Sequence, residues 1–132
     1  MTDDRFQQGL KTVAELFPPR DDAPAAQFSY PKEIAEDFSK LSISTVMGDV
    51  WSRPGLAKKN RAMCTIAALT VLDKPEQLKA YITAALNLGV TRQEICEVIM
   101  QMAIYGSFPA AIQGLGVANE IFEAFDGADS ET

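Results

Sequence analysis

The feature that most constrains the fold is an apolar stretch in the middle of the chain, within a helix that we predict from about Ala57 to Leu72. A helix that is apolar on all sides is normally buried on most of them. We therefore expect this helix to be the central element of the core, with other helices packed around it. Its second half carries apolar side chains on nearly every side, namely Met63, Cys64, Ile66, Ala67, Ala68, Leu69, Val71 and Leu72.

Turn and capping signals mark the helices that follow. Lys74-Pro75 favours the start of a fourth helix, which we predict to end at Asn87-Leu-Gly89, with Gly89 in a left-handed conformation. Thr91-Arg-Gln-Glu94 has the pattern of a capping box, in which the N-cap side chain and the glutamate three residues later bond each other's backbone. The fifth helix therefore starts after Thr91, and we expect it to run into Tyr105, where Gly106 interrupts it.

The first half of the chain also has a helical pattern. Residues 3–17 place apolar side chains on one helical face, and two prolines end that helix. After an irregular connector at residues 20–27, we predict a second helix from Pro31 to about Met47. The turn-forming Trp51-Ser-Arg-Pro-Gly-Leu56 then leads into the central helix. The apolar face of the first helix is formed by Phe6, Leu10, Val13, Ala14 and Phe17.

The end of the chain completes an all-α pattern. We predict a sixth helix from about Pro109 to Phe125 and a short disordered acidic tail from Asp126 to Thr132. No segment shows the alternation of apolar and polar residues that is typical of a strand. With 132 residues, 47% of them hydrophobic, the chain fits a single domain over residues 1–132, a helical bundle of about six helices.

Composition argues against several classes of partner and site. The net charge of −6 lacks the basic surface that a nucleic-acid-binding protein needs. The polar, acidic start does not resemble a signal peptide, and no apolar run is long enough to cross a bilayer, so we expect a cytoplasmic protein. There is no histidine, and the two cysteines, Cys64 and Cys96, are too far apart for a zinc clip or a redox pair. We therefore expect no metal, and we expect both cysteines to be core residues rather than nucleophiles.

Three segments resemble the motifs of one family. Their order and spacing are similar to those of the carboxymuconolactone decarboxylase family, and the similarity extends from Arg5 to Phe125. Each motif is weak alone, but three in order are specific. The segments are Trp51-Ser-Arg-Pro-Gly-Leu followed by Asn60-Arg61 and an apolar helix, Ala85-Leu-Asn-Leu-Gly-Val-Thr-Arg-Gln-Glu-Ile, and Ala103-Ile-Tyr-Gly-Ser-Phe-Pro-Ala-Ala.

The resemblance implies a helical subunit of a ring, a trimer or a hexamer, that catalyses a decarboxylation without a cofactor in the breakdown of aromatic acids. The implied substrate is a small carboxylated conjugated lactone, whose own carbonyl accepts the electrons that CO2 leaves behind. The sequence departs from the family at two positions that often carry histidine, where it has Tyr81 and Gln101. It also lacks the Cys-x-x-Cys pair and the histidine on which peroxidase-like relatives depend, which argues against that activity.

Two arginines are candidates to bind the substrate carboxylate. Arg53, in the turn after Trp51, offers paired donors that match a carboxylate and stays charged at any working pH. Arg61, at the start of the central helix, is a second candidate. The structural alternative is that Arg53 caps a helix or bridges subunits and that Arg61 is a paired structural residue.

Other residues are candidates for the reacting centre and its walls. Tyr81 and Gln101 should point into one cavity, where each could donate a hydrogen bond to an enolate oxygen, unless that cavity now serves another ligand or none. Glu97 is a candidate acid or base if it is buried, whereas the capping box accounts for Glu94 as structure. The aromatic residues that could line a pocket or a subunit interface are Trp51, Tyr105 and Phe108.

Two classes of function remain open on this evidence. The first is a cofactor-free lyase, or a related isomerase or cyclase with a different small anionic substrate. The second is a binding or scaffold protein that keeps the helical ring and has lost the chemistry. The first predicts a closed pocket that holds Arg53, Tyr81 and Gln101, and the second predicts that the region of Tyr81 and Gln101 is packed shut or that the pocket is purely apolar.

Overall fold

The computed structural model describes residues 2–19 and 28–130, and all the regular structure in these ranges is helical. The predicted all-α fold with six α-helices is thereby confirmed for the described ranges. The predicted connector at residues 20–27 and the last two residues of the tail lie outside them. The elements are α1 (Thr2–Leu16), α2 (Ala35–Ser42), a π-helical segment (Ile43–Val50), α3 (Lys58–Val71), α4 (Pro75–Asn87), α5 (Arg92–Tyr105) and α6 (Phe108–Ser130).

The helices pack into two connected groups. Helix α1 packs along the π-helical segment, while α3, α4, α5 and α6 pack against one another around the main core. The fully buried isoleucines Ile66, Ile82, Ile95 and Ile99 come from α3, α4 and α5. Burying each such side chain contributes about 1.5–3 kcal/mol, so these helices hold the fold together. None of the described helices is both long enough and apolar enough to cross a membrane.

Helix α3 is less buried than its composition predicts. It buries Ala62, Ile66 and Thr70, whereas Cys64 and Leu72 are exposed. The prediction that this helix is covered on most sides is therefore wrong for the single chain, because its contacts with α4, α5 and α6 leave these side chains exposed. The placement of Cys64 in the core is wrong for the same reason, and Cys96 is half-buried.

The buried face of α1 also differs from the predicted one. Gly9, Thr12 and Leu16 are buried, whereas Leu10 and Ala14 are exposed. The π-helical segment approaches α1 so closely that a Cβ atom placed on Gly9 would lie 2.3 Å from the carbonyl oxygen of Ile43. The face of α1 is therefore set by this backbone contact rather than by its largest apolar side chains.

The second helix begins and ends later than predicted. Pro31 lies in a turn, where its carbonyl accepts a hydrogen bond from the N–H of Ala35, and regular helix starts only at Ala35. Beyond Ser42 the helix continues in π geometry, so that the N–H of Trp51 donates to the carbonyl oxygen of Val46, five residues earlier, at 2.9 Å. π-Helical turns inside helices are frequent at functional sites.

The last helix is longer than predicted. Helix α6 runs to Ser130, so the prediction of a disordered tail is wrong for residues 126–130. Arg92 accounts for part of this extension, since its guanidinium bonds the carboxylate of Asp126 and lies 5.1 Å from the ring centre of Phe122. A cation placed over an aromatic face and paired with a carboxylate holds the end of α6 against α5.

The predicted helix boundaries around α4 and α5 are confirmed. Pro75 is the first residue of α4, and Gly89 has a positive φ of 91° just after its end. The capping box is complete, because the N–H of Glu94 donates to the Thr91 hydroxyl at 3.0 Å while the N–H of Thr91 donates to the Glu94 carboxylate at 2.9 Å. These bonds satisfy two backbone donors that a helix start leaves open.

Three carboxyl groups make the stability of the fold sensitive to acid. Hydrogen bonds from Arg5 lower the pKa of Asp49, those from Arg92 lower the pKa of Asp126, and the Thr91 backbone lowers the pKa of Glu94. A carboxyl with a lower pKa in the folded state stabilises the fold above its unfolded pKa, and this contribution is lost as the pH falls through the folded pKa.

We therefore expect the midpoint of urea unfolding to fall from about pH 5 downward, where these carboxyls become protonated. Thr91→Ala removes the helix cap and should cost about 1 kcal/mol at neutral pH. Thr83→Ala is the matched control, because the Thr83 hydroxyl only donates to the Lys79 carbonyl within α4. A midpoint that is constant down to about pH 3 would contradict this prediction.

Candidate functional site

A cavity of ≈ 580 Å³ opens between α1, α2, the π-helical segment and α4. The cavity is lined from α1 by Val13, from α2 by Phe38, from the π-helical segment by Met47 and from α4 by Tyr81, and Phe17 lines it just beyond the end of α1. A volume of this size is typical of small-molecule sites, which lie between about 300 and 1,000 Å³. The enzyme hypothesis predicts a closed pocket with Arg53, Tyr81 and Gln101, whereas this cavity is open and only Tyr81 of the three lines it.

Tyr81 is held in the cavity wall by two aromatic contacts. Its ring stacks on that of Trp51, with ring centres 6.0 Å apart and an angle of 30° between the planes. On another side the edge-on ring of Phe17 lies 6.4 Å away. Trp51 is only 5% exposed, so it is a wall behind Tyr81 rather than an exposed interface residue within the single chain. These contacts restrict the side-chain conformations that Tyr81 can adopt.

Burial raises the pKa of the Tyr81 phenol above its ordinary value. Desolvation disfavours the phenolate, so the hydroxyl stays protonated at neutral pH. In that state the phenol donates one hydrogen bond and accepts others. Tyr81 is thus suited to donate a hydrogen bond to a developing negative charge, and it is not suited to act as a base at neutral pH.

The two candidate arginines lie together, with Arg53 two residues after Trp51 in the chain. The Nη2 group of Arg61 donates to the backbone carbonyl oxygen of Arg53 at 3.2 Å. The Nε atom of Arg61 is buried and has no hydrogen-bond partner among the described residues. Neither arginine forms an ion pair with a described aspartate or glutamate. Arg53 itself is exposed in the turn that follows Trp51. Arg61 thus has a structural partner in the Arg53 carbonyl, in line with the structural alternative, but it has no acidic partner within the described ranges.

Helix α5 places its candidate residues away from the cavity. Gln101 and Glu97 are exposed on α5, and neither lines the cavity that contains Tyr81. The expected meeting of Tyr81 and Gln101 in one cavity does not occur within the single chain, because the cavity is walled by α1, α2, the π-helical segment and α4. Tyr105 and Phe108 are exposed by 78% and 64%, at the junction of α5 and α6.

These two aromatic residues belong to a larger apolar surface, which we call the α5–α6 surface. Soluble monomers rarely expose large continuous apolar areas, and such areas often mark protein interfaces. Gln101 precedes Ile104 and Tyr105 by three and four residues on α5, so it shares their helical face. The α5–α6 surface consists of the exposed side chains of Val71, Leu72, Met100, Ile104, Tyr105, Phe108, Ile112 and Leu115.

Several cavity residues were not among the sequence-based candidates. Phe38, Ser39 and Ser42 line the cavity from α2, and Gln77 lines it from α4. Their helical spacing would have grouped the α2 residues on one face, but nothing in the sequence indicates that this face meets α4. Among the described residues, no three side chains of the metal-binding types His, Cys, Asp and Glu come together.

Comparisons with known proteins agree with this architecture. Residues 36–120 match the carboxymuconolactone decarboxylase family. The chain is 30% identical over 119 residues to a 4-carboxymuconolactone decarboxylase of Acinetobacter baylyi, a match that covers 90% of this chain and 87% of that protein.

Two further relatives are matched over shorter stretches. One is an uncharacterised 15.0 kDa protein of Paracoccus denitrificans, 38% identical over 82 residues, or 60% of each chain. The other is a nitrosuccinic acid decarboxylase of Metarhizium robertsii, 33% identical over 73 residues, or 55% of this chain and 51% of that protein. With a family match over most of its length and a relative aligned along nearly the whole chain, the protein belongs to the carboxymuconolactone decarboxylase family.

Proposed function

We propose that the protein is a cofactor-free carboxy-lyase that removes CO2 from a small carboxylated conjugated lactone, or a similar acid, in the breakdown of aromatic acids. The observation that carries the proposal is the position of Tyr81, which lies in the wall of an open cavity of suitable size and carries a protonated hydroxyl. Two relatives whose names describe them as decarboxylases support the same class of reaction.

The reaction needs little from the protein in chemical terms. The bond between the ring carbon and the carboxylate breaks, its electron pair moves through the conjugated double bond onto the carbonyl oxygen, and a proton then returns to carbon. A hydrogen-bond donor aimed at that oxygen lowers the barrier, since it stabilises charge that develops only in the transition state. In our proposal, Tyr81 is this donor.

A second carboxylate or a similar anionic group of the substrate would bind the arginine pair. A buried guanidinium nitrogen without a partner is costly, and a bound carboxylate would satisfy it. Arg61 has such an atom, and Arg53 is exposed beside it. We therefore assign Arg61 the main role in binding the anion and Arg53 a supporting role.

The test of this proposal is a turnover assay with freshly generated 4-carboxymuconolactone and, separately, with nitrosuccinate, in which released CO2 is measured. We expect turnover of at least one of them and a rise in KM of about tenfold or more in Arg61→Gln, because a charge-assisted bond is lost. Lys11→Gln, which removes an exposed cation on α1, is the matched control and should behave as the wild type. If no CO2 is released at high enzyme concentration, the proposal of a lyase is contradicted and the isomerase, cyclase or binding alternatives are favoured.

A second copy of the chain is part of the proposal. Two copies of a chain with net charge −6 repel each other, but the exposed apolar side chains of the α5–α6 surface favour association, because packing them against a neighbouring copy removes apolar area from water. Such pairing would also bury Gln101 and Glu97 near the interface, where they could complete a site that the single chain lacks. We propose a ring of subunits, a trimer or a hexamer, joined through this surface.

Light scattering coupled to size-exclusion chromatography checks the assembly. We expect the wild type to be an oligomer and Ile104→Glu to be a smaller species, because the substitution places a charge in an apolar interface. Leu41→Glu changes a similarly exposed residue on α2 and should leave the mass unchanged. A wild type that is monomeric at all concentrations would contradict this proposal.

A further inference from the structure

We infer that a second, smaller pocket binds a small zwitterion, a molecule such as an amino acid that carries one carboxylate and one ammonium group. The pocket measures ≈ 230 Å³ and shares no lining residue with the cavity at Tyr81, so the inference is independent of the proposed function. This volume is below the range of about 300–1,000 Å³ that is usual for small-molecule sites, so the ligand is small. The residues that line the pocket are Arg5, Asp37, Lys40, Leu41 and Ser44.

The lining residues that follow α1 in the chain lie on one helical face. Asp37, Lys40 and Leu41 belong to α2, and Ser44 follows three positions later at the start of the π-helical segment. Side chains three or four positions apart on a helix are neighbours, with Cβ atoms about 5–6 Å apart. The helix therefore presents the carboxylate of Asp37 and the ammonium group of Lys40 to the same small space.

Both charges on this face lack a partner of opposite sign. Lys40 forms no ion pair with a described acid, and Asp37 forms none with a described cation. The Nζ atom of Lys40 lies 5.8 Å from the ring centre of Phe6, a contact that positions the ammonium group without neutralising it. A ligand whose two opposite charges are a few ångströms apart would pair with both groups.

Arg5 adds hydrogen-bond donors to the pocket without adding net charge. Its Nε and Nη2 groups donate to the carboxylate of Asp49, at 2.9 and 2.6 Å. The Nη1 group makes no hydrogen bond to a described residue, although it carries two of the five N–H donors of a guanidinium. Because the Asp49 carboxylate balances this guanidinium, Asp37 and Lys40 are the charges left for a ligand, and they sum to zero. Charge complementarity therefore favours a zwitterion over a simple anion or cation.

Ser44 is a buried polar residue that faces the pocket. It is only 7% exposed, and its hydroxyl makes no hydrogen bond to another described side chain or backbone group. Buried hydroxyl groups normally have a partner, which an oxygen atom of a ligand would supply here. We therefore place the carboxylate of the ligand against Lys40 and Ser44, and its ammonium group against Asp37.

Three probes of nearly equal shape test which charges the pocket requires. L-Alanine carries both charges, lactate has a hydroxyl in place of the ammonium group, and L-alaninamide has an amide in place of the carboxylate. Isothermal titration calorimetry on the full chain at about pH 6, where α-amino groups are charged, measures binding without turnover. We expect saturable binding of L-alanine and about tenfold or more weaker binding of the other two, because each lacks one charge-assisted bond.

Substitutions in the pocket locate the binding. Asp37→Asn and, independently, Lys40→Met should each weaken the binding of L-alanine about tenfold or more, because each removes one charge and keeps a side chain of similar size. The matched controls are Glu36→Gln and Lys11→Met, which remove the same charges at exposed positions outside the pocket and should bind L-alanine as the wild type does. All four residues are exposed, so their substitution does not disturb the core.

The results separate a zwitterion site from its alternatives. Lactate binding as tight as that of L-alanine would overturn the inference in favour of a simple anion site, and equally tight binding of L-alaninamide would overturn it in favour of a cation site. It is also overturned if L-alanine shows no saturable binding, or if Asp37→Asn and Lys40→Met both bind it as the wild type does. The expected pattern in a protein without lyase turnover would support the inference and contradict only the proposed function.

Discussion

Gly48→Ala is expected to destabilise the protein by about 3 kcal/mol or more, because overpacking against backbone cannot be relieved by rotating a side chain. A Cβ atom on Gly48 would lie 2.3 Å from the carbonyl oxygen of Arg5 in α1. The two elements are equally close at Gly9 of α1, where an added Cβ atom would lie 2.3 Å from the carbonyl oxygen of Ile43 in the π-helical segment. Either substitution forces α1 and the π-helical segment apart.

The matched control for this prediction is Gly116→Ala in α6, where nothing lies within 4 Å of the added atom. There the substitution should stabilise the protein by about 0.5–1 kcal/mol, since alanine favours helix and glycine does not. Urea unfolding of the three proteins at neutral pH measures both effects. If Gly48→Ala and Gly116→Ala changed stability equally, the close contact of the two helices would be refuted.

The contact also matters for the site. The cavity lies between α1, the π-helical segment and α4, so helices that are forced apart at Gly48 would widen it. A Gly48→Ala protein that remains folded should therefore have a higher KM in the decarboxylation assay than the wild type. This links the packing of two helices to the shape of the candidate site.

Tyr81→Phe is expected to lower kcat of the decarboxylation by about 100-fold, the usual effect of removing one donor to a developing oxyanion. KM should change less, because the phenyl ring keeps its contacts with Trp51 and Phe17. Steady-state kinetics on the substrate that the wild type turns over measures both constants. Tyr105→Phe is the control, since Tyr105 is exposed and lies away from the cavity.

The pH dependence separates the roles that Tyr81 could have. Burial raises the pKa of its phenol, so a donor at this position stays active through neutral pH and is lost only in strongly alkaline solution. A base at this position would show the opposite behaviour, with activity rising as the pH approaches the phenol pKa. Full activity in Tyr81→Phe would show that the reacting centre lies elsewhere. The exposed α5 residues Gln101 and Glu97 would then be the next candidates.

Part of the candidate site was predictable from the sequence. The resemblance of three segments to one family identified Tyr81 and the turn that contains Arg53, and the structure places Tyr81 against Trp51 in a cavity wall. The prediction that Tyr81 and Gln101 share one cavity, in contrast, does not hold within one chain. It depends on which helices share a wall, and α5 does not contribute to the cavity within one chain.

What the sequence determined by itself is the helical class and the boundaries of α4 and α5. These boundaries are set by local signals, namely the capping box at Thr91, the turn at Gly89 and the helix start at Pro75. Each signal involves residues only a few positions apart, so it does not depend on how the helix packs against the others. Such local signals can be read without knowledge of the tertiary structure.

Only the tertiary structure decided which faces are buried and where the cavity lies. Helix α3 is apolar on nearly all sides, so its composition does not distinguish the face that holds Ile66 from the face that exposes Cys64. The Gly48 contact joins residues more than forty positions apart. The cavity is likewise lined by residues of α1, α2 and α4, and an arrangement of this kind depends on the shape and mutual fit of whole helices, which no short stretch of sequence encodes.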